Sequence, residues 1–218
     1  MADAIDSLRP ALLAAASQLG LELLDPQADS LLRYLRLLQH WNGAYNLTAV
    51  RDPTQMLTQH IADCLAVIPP LRRQVQATPF RLLDVGSGGG LPGAVIAILN
   101  PAVQVTCVDS VGKKAAFVQQ VAAELHLSNL RSRHARAEAM EGEPFDVVTS
   151  RAFASLATFA DLTRQQLSPG GVWAAMKGKR PVGELAQLPA DIDVFHVEQL
   201  DVPNLDAERC LVWMRPRR

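Results

Sequence analysis

Between residues 82 and 93 the chain reads LLDVGSGGGLPG, a short apolar run that breaks into Gly86, Gly88, Gly89, Gly90 and Gly93. No other stretch limits the fold so tightly. A strand that ends in glycines and passes at once into a helix is the opening turn of an open, mostly parallel α/β sheet. Ligands bind such sheets beyond the carboxyl ends of the strands. Glycines there let the backbone come close to a ligand and adopt φ > 0, and the helix that follows offers unpaired N–H groups. A purely structural turn is the plain alternative, but five glycines in eight residues are more than a turn requires.

The rest of the chain agrees with this reading. Apolar runs predict strands at 81–85, 103–109, 129–135, 145–150 and 172–177, with helices at about 92–99, 113–125 and 156–167 between them. Strands alternating with helices predict a parallel sheet covered on both faces. Two last strands, 193–202 and 210–215, have no helix between them and predict a terminal antiparallel hairpin. Before residue 80 the pattern is helical only. Ile5 to Leu19 is stopped by Gly20. Asp25 and Pro26 open a second helix running to about Trp41. A third runs from Pro53 to Val67, capped by Asp52 and closed by Pro69-Pro70. Two parts are therefore expected, a helical cap over 1–79 and an α/β domain over 80–218.

Composition narrows the function classes. With 49% apolar and 20% charged residues the chain is an ordinary globular one. Its net charge of -1 argues mildly against nucleic acid as a partner. The cations are nevertheless grouped: Arg131, Arg133 and Arg136; Lys177, Lys179 and Arg180; Arg215, Arg217 and Arg218. A local patch attracts phosphate even when the total is neutral. Cys64, Cys107 and Cys210 are too scattered for a zinc cluster, and Cys107 and Cys210 within strands read as core residues rather than nucleophiles. An odd, unpatterned cysteine count suits a reducing cytosol. No signal segment and no long apolar run are present, so a cytoplasmic protein without membrane or metal is expected.

Two ligands compete for the glycine loop. Gly88, Gly90 and Gly93 fit the dinucleotide string GxGxxG, which is weak evidence alone. Gly86, Gly88 and Gly90 fit GxGxG behind Asp84, the usual form for S-adenosylmethionine. A carboxylate at that strand end repels pyrophosphate and suits the ammonium of a methionine moiety. Asp109 closes the second strand, where a carboxylate accepts hydrogen bonds from ribose hydroxyls of either cofactor. Both tyrosines, Tyr34 and Tyr45, lie in the helical part, away from where a reductase of the YxxxK type needs one. No GxxxxGK[ST] phosphate loop occurs.

If the cofactor is a methyl donor, the acceptor is constrained too. The fourth strand is followed by SRAFAS rather than the [DN]PP[YF] of amino methylation, and no cysteine is placed for attack on a pyrimidine. An acceptor with its own lone pair, such as a ring nitrogen, remains. It needs alignment rather than a general base. Arg151, directly after the fourth strand, is placed to orient cofactor or acceptor, or else to pair with a carboxylate. Glu138 and Ala137 follow the third strand.

Taken together, WNGAYNLTAVRD (41–52), HIADCL (60–65), LLDVGSGGGLPG, VDSVGKK (108–114), SRAFASL (150–156), MKGK (176–179) and VPNLDAER (202–209) resemble the RsmG/GidB family of bacterial 16S rRNA (guanine N-7)-methyltransferases, across nearly the whole chain. The resemblance implies a Rossmann-like S-adenosylmethionine-dependent methyltransferase fold, here a mostly parallel seven-stranded sheet with the terminal hairpin and the helical cap. It implies S-adenosyl-L-methionine as cofactor, 16S rRNA or the small-subunit particle as partner, a monomer, and guanine 527 of the 530 loop as target. By carry-over, Gly86, Leu91, Ala137, Glu138 and Arg151 attend the cofactor, Arg151 being the one catalytic candidate. Gly88 and Asp109 are added from the strand-end argument. Cys64 stands where the family commonly has serine. His60 and Asp63 match the family and are read as ties between cap and sheet. The alternatives are a methyltransferase of a small molecule or protein, a nicotinamide-dependent oxidoreductase, and a non-catalytic RNA-binding or assembly factor.

Overall fold

A computed structural model describes residues 4–76 and 79–217. Its centre is one seven-stranded sheet made of β1 (Arg81–Val85), β2 (Gln104–Asp109), β3 (Leu130–His134), β4 (Phe145–Arg151), β5 (Leu167–Lys177), β6 (Ile192–Gln199) and β7 (Cys210–Pro216). The strand order is β3-β2-β1-β4-β5-β7-β6. β1 to β5 pair in parallel, and β7 lies antiparallel between β5 and β6. The order reverses between β1 and β4. That switch point opens a crevice at the carboxyl edge, where open α/β sheets hold their ligands.

Side chains alternate along each strand and so build two separate cores. Leu82, Val105, Val147, Ala174, Leu211 and Trp213 face one side, against α6 (Gly93–Leu99), α7 (Gly112–Glu124) and the helical cap. Leu83, Val85, Val108, Val148, Trp173 and Val212 face the other, against α8 (Leu156–Thr163). Both cores are dry: Leu82, Leu83, Val147, Val148, Trp173 and Trp213 are all 0% exposed.

The cap comprises α1 (Arg9–Gln18), α2 (Asp25–Tyr45), α3 (Pro53–Met56), α4 (Asp63–Leu65) and α5 (Ile68–Gln74). Gly20 ends the α1 region with φ +69°, as expected. The capping residue of α2 is Leu24, one position before the expected Asp25. Gln27 Oε1 accepts from the Leu24 N–H, while Asp25 sits in the first turn. There its charge favours the positive end of the helix dipole. α2 also runs past Trp41 to Tyr45, until Asn46 at φ +50° turns the chain. Asp52 caps α3 by accepting from Gln55 N at 2.9 Å.

Between α3 and α4 the residues Leu57–Ala62 form a π-helical segment, a conformation concentrated at functional sites. Pro69 and Pro70 do not close this helix. They occupy the first turn of α5, where a missing N–H costs nothing. Two further differences lie in the α/β part. β5 starts at Leu167, so Pro169-Gly170-Gly171 falls inside the strand, opposite a register shift on β4. A short helix, α9 (Val182–Ala186), follows β5. Among the described residues no helix is long and apolar enough to cross a membrane.

Candidate active site

The five glycines of the β1–α6 loop do different work. A Cβ on Gly93 would collide with Cys107 Sγ and lie 2.9 Å from Asp84 Oδ2, so Gly93 lets α6 sit against the sheet. A Cβ on Gly89 would lie 2.8 Å from Leu38 Cδ1 of α2, and the Gly89 carbonyl accepts from Tyr34 Oη at 2.7 Å. That glycine seats the cap on the loop. Gly86 and Gly88 have φ of +64° and +57°, values that L side chains rarely adopt. Nothing lies within 4 Å of a Cβ on Gly88. A Cβ on Gly86 would lie 2.6 Å from Phe153 Cδ2.

Asp84 does not reach the crevice. It is 0% exposed. Its Oδ2 accepts from Gly93 N at 2.8 Å, and its Oδ1 has no partner. Burial raises its pKa to about 7, against the opposing pull of the Gly93 N–H. The expected contact between this carboxylate and an ammonium group is therefore not made at the surface of the site. The acid instead orders the helix start from inside. β1 places residue 84 on the α6 side, one position before the chain leaves the sheet.

Asp109, itself 7% exposed, is the acid that lines a cavity. From the end of β2 its Oδ2 accepts from Gly88 N at 2.9 Å and its Oδ1 from Val111 N at 2.8 Å. A carboxylate has about four acceptor positions, so two remain for other donors. Asp109 lines a cavity of about 270 Å³ with Gly86, Ala137, Glu138, Phe153 and Leu162. Glu138 is exposed, 3.7 Å from Arg136, and Ala137 is buried at 6%. Four predicted residues thus meet around one cavity. Gly88 is tied to it through Asp109. Leu91 offers it no side chain, since Leu91 is packed in the core facing the cap.

Arg151 lines a second cavity, of about 360 Å³, with Gln59, His60, Asp63, Met176 and Arg209. It ends β4 beside Ala152, a non-glycine residue at φ +55°. Its Nη1 donates to Asp63 Oδ2 and to the Gln59 carbonyl, both at 3.1 Å. Asp63 Oδ1 accepts from Arg209 Nε at 2.9 Å. One carboxylate with a side chain 2% exposed is therefore shared by two guanidiniums, one from the end of β4 and one from the residue before β7. This is the tie between cap and sheet expected of Asp63.

His60 completes the cluster. Its Nδ1 lies 2.9 Å from the Gln59 carbonyl and its Nε2 2.6 Å from Thr48 Oγ1. A carbonyl only accepts, so Nδ1 carries the proton and Nε2 accepts from the threonine. Burial and the nearby Arg151 charge lower the His60 pKa to about 4. The ring stays neutral at neutral pH, and Asp63 keeps its two cations without a third. Cys64 next to Asp63 is fully buried, and burial pushes its thiol well above the ordinary range.

Several expected cations are engaged elsewhere. Lys177 Nζ bonds the Ala154 carbonyl at 2.7 Å and both oxygens of Glu184, which also accepts from Leu156 N. It pins the loop that carries Phe153. Arg215 pairs with Asp193 at 2.8 Å. Arg131, Arg133, Lys179 and Arg180 are exposed, and Arg218 lies outside the described residues. Phe153, Gln59 and Arg209 were given no role by the sequence reading. Phe153 and Arg209 lie inside the quoted SRAFASL and VPNLDAER stretches, the one signal that could have marked them.

The sequence profile of the GidB family, rRNA small subunit methyltransferase G, matches residues 27–212, from α2 into β7. The ribosomal RNA small subunit methyltransferase G of Leptothrix cholodnii is 63% identical over 209 residues, covering 96% of each chain. That of Acidovorax ebreus is 59% identical over 218 residues, again 96% of each. Solved structures share the fold at low identity. TrmN from Thermus thermophilus has a TM-score of 0.56 at 20% identity, over 73% of this chain and 53% of that one. A SAM-dependent methyltransferase from Geobacter sulfurreducens, solved with S-adenosyl-L-homocysteine, has a TM-score of 0.51 at 14% identity, over 84% and 98%. With the cap from α2 onward, the glycine loop and the sheet as far as the start of β7 inside the matched span, this chain belongs to the rRNA small subunit methyltransferase G family.

Proposed function

We propose that the protein transfers the methyl group of S-adenosylmethionine to N7 of a guanine in the 530 loop of 16S rRNA, guanine 527 by the family resemblance. The observation that carries this reading is the pair of cavities flanking the end of β4. One is edged by Asp109, Glu138 and the glycine loop, the other by Arg151 and Arg209. Beside Arg136, the first offers the carboxylates of Asp109 and Glu138 as acceptors for ribose hydroxyls and an adenine amino group. Donors line the second, as a base edge rich in acceptors requires.

The bound cofactor supplies an electrophilic methyl carbon on a positively charged sulfur. The residues around the first cavity fit it. Asp109 has free acceptor positions for ribose hydroxyls, and Gly88 leaves its surroundings open. Glu138 and the backbone at Ala137 sit where they can hold the adenosine end. Arg151 lines the second cavity, two residues before Phe153 of the first, and is fixed by Asp63 and the Gln59 carbonyl. We assign it the alignment of donor and acceptor.

N7 of guanine has its own lone pair, so no proton must be removed before attack. The gain comes from proximity and orientation, which are worth up to about 7–11 kcal/mol in well-aligned systems. A neutral His60 and a doubly paired Asp63 suit such a reaction, since neither is free to act as a base. The test is transfer of labelled methyl to small-subunit RNA lacking the modification, offered as naked RNA and as assembled particle. Incorporation at one guanine, with strand cleavage specific for N7-methylguanine locating it, is expected. Folded, donor-binding protein that labels no guanine refutes the reading.

A further inference from the structure

The stretch VPNLDAER ends immediately before β7 in Arg209, which edges the second cavity and has been given no specific contact there. Arg209 is anchored twice. Its Nε donates to Asp63 Oδ1 at 2.9 Å and its Nη1 to the Glu208 carbonyl at 2.9 Å. Nη2 has no partner among the described residues. The guanidinium is therefore held in a fixed plane with one donor nitrogen free, and it lines the second cavity.

The other charged groups of that wall are already satisfied or are donors as well. Both Asp63 oxygens are taken by the two arginines. Lys177 is turned to Glu184 and the Ala154 carbonyl. The charged wall thus offers N–H groups and no free carboxylate. A purine reveals its identity next to N7. Guanine presents the acceptor O6 there, and adenine presents an amino donor. A wall of donors accepts the first and leaves two opposed donors with the second.

We propose that the 360 Å³ cavity receives the acceptor base and that Arg209 selects guanine by donating from Nη2 to O6. This rests on the function proposed above and adds the residue that reads the base. Asp63 holds the arginine at the angle required, so selection and the cap-to-sheet tie share one carboxylate.

The test uses small-subunit substrates carrying guanine or 2-aminopurine at the target position. The second keeps N7 and lacks O6. A charge-assisted hydrogen bond lost in the transition state lowers kcat/KM by about 10- to 100-fold, and this is expected for 2-aminopurine with the native chain. In Arg209→Gln the guanine rate falls by a similar factor, the 2-aminopurine rate changes little, and the two converge. Calorimetric binding of S-adenosylmethionine is unchanged. A native chain that methylates 2-aminopurine as fast as guanine overturns the inference, whatever the variant does. So does a variant that slows both substrates equally, since that is a structural effect. Failure of the native chain to methylate the guanine substrate refutes the proposed function itself, and this inference with it.

Discussion

Replacing Asp84 with asparagine is expected to stabilise the protein at neutral pH, although the residue sits in the glycine loop's own strand. The carboxyl is fully buried, one oxygen has no partner, and its pKa rises from 3.8 to about 7. A carboxyl raised in the folded state binds a proton that the unfolded chain has already released. Its contribution is greatest below pH 3.8 and is lost as pH rises through about 7. Between pH 5 and pH 7 the slope starts at about 1.4 kcal/mol per pH unit and halves as pH reaches about 7, so the contribution lost is about 2 kcal/mol. Asparagine copies the protonated acid, still accepts from Gly93 N, and has nothing to lose over that range. The variant's advantage is therefore expected to grow by about 2 kcal/mol from pH 5 to pH 7. His60 acts in the opposite sense. Its pKa is lowered to about 4, so its contribution is absent at pH 4 and regained by pH 6.5. Since His60 is common to both proteins, the difference between them isolates Asp84. Urea unfolding followed by tryptophan fluorescence at half-unit pH steps measures it. A difference that stays constant across pH 5–7 refutes the assignment of a proton to buried Asp84.

Other expectations follow from single contacts. Gly86→Val puts a branched side chain at φ +64° and against Phe153. It is expected to cost about 1–3 kcal/mol of stability and to abolish donor binding by calorimetry; undiminished affinity counts against Gly86 as part of the cofactor site. Asp63→Asn leaves Arg151 and Arg209 without their shared carboxylate. Their side chains keep 23% and 25% exposure, so the loss is expected near the lower end for a broken buried pair, about 3 kcal/mol. A loss below about 1 kcal/mol in denaturant unfolding, the level of a surface pair, contradicts that account. Asp109→Asn weakens the hold on the Gly88 and Val111 N–H groups, and donor affinity is expected to fall about tenfold. Unchanged affinity would move Asp109 out of the site.

Elements set by local periodicity and by proline or glycine were legible to within a few residues. RLLDV became β1 as read, and Gly20 and Asp52 end and cap their helices where expected. Pro69-Pro70 shows the limit. Two prolines mark a helix boundary, but sequence does not say on which side of them the helix lies, because the first turn tolerates the missing N–H as well as a loop does. The π segment at Leu57–Ala62 left no local mark either. Its carbonyl at Gln59 is satisfied by Arg151, a residue far along the chain.

By itself the sequence determined that a parallel sheet with a ligand crevice would form at the end of β1, with Asp109 closing the neighbouring strand. Those properties follow from short-range patterns: apolar alternation, glycines at a turn, an acid at a strand end; Gly86 and Glu138 were marked only by the family resemblance. Only the tertiary structure decided what each member does. It turned Asp84 inward onto α6 and set Asp109 on the cavity wall, although both are acids at the ends of neighbouring strands. It assigned Gly89 and Gly93 to packing, set Gly86 on the cavity wall and tied Gly88 to it through Asp109. It brought Asp63, Arg151 and Arg209 to one point. The physical reason is range. A hydrogen bond between residues 63 and 209 spans 146 positions of sequence, and nothing within a helical turn or a strand of either residue encodes its partner. The cost of burying a carboxylate alone, and the gain from pairing it twice, exist only once the chain has closed around it.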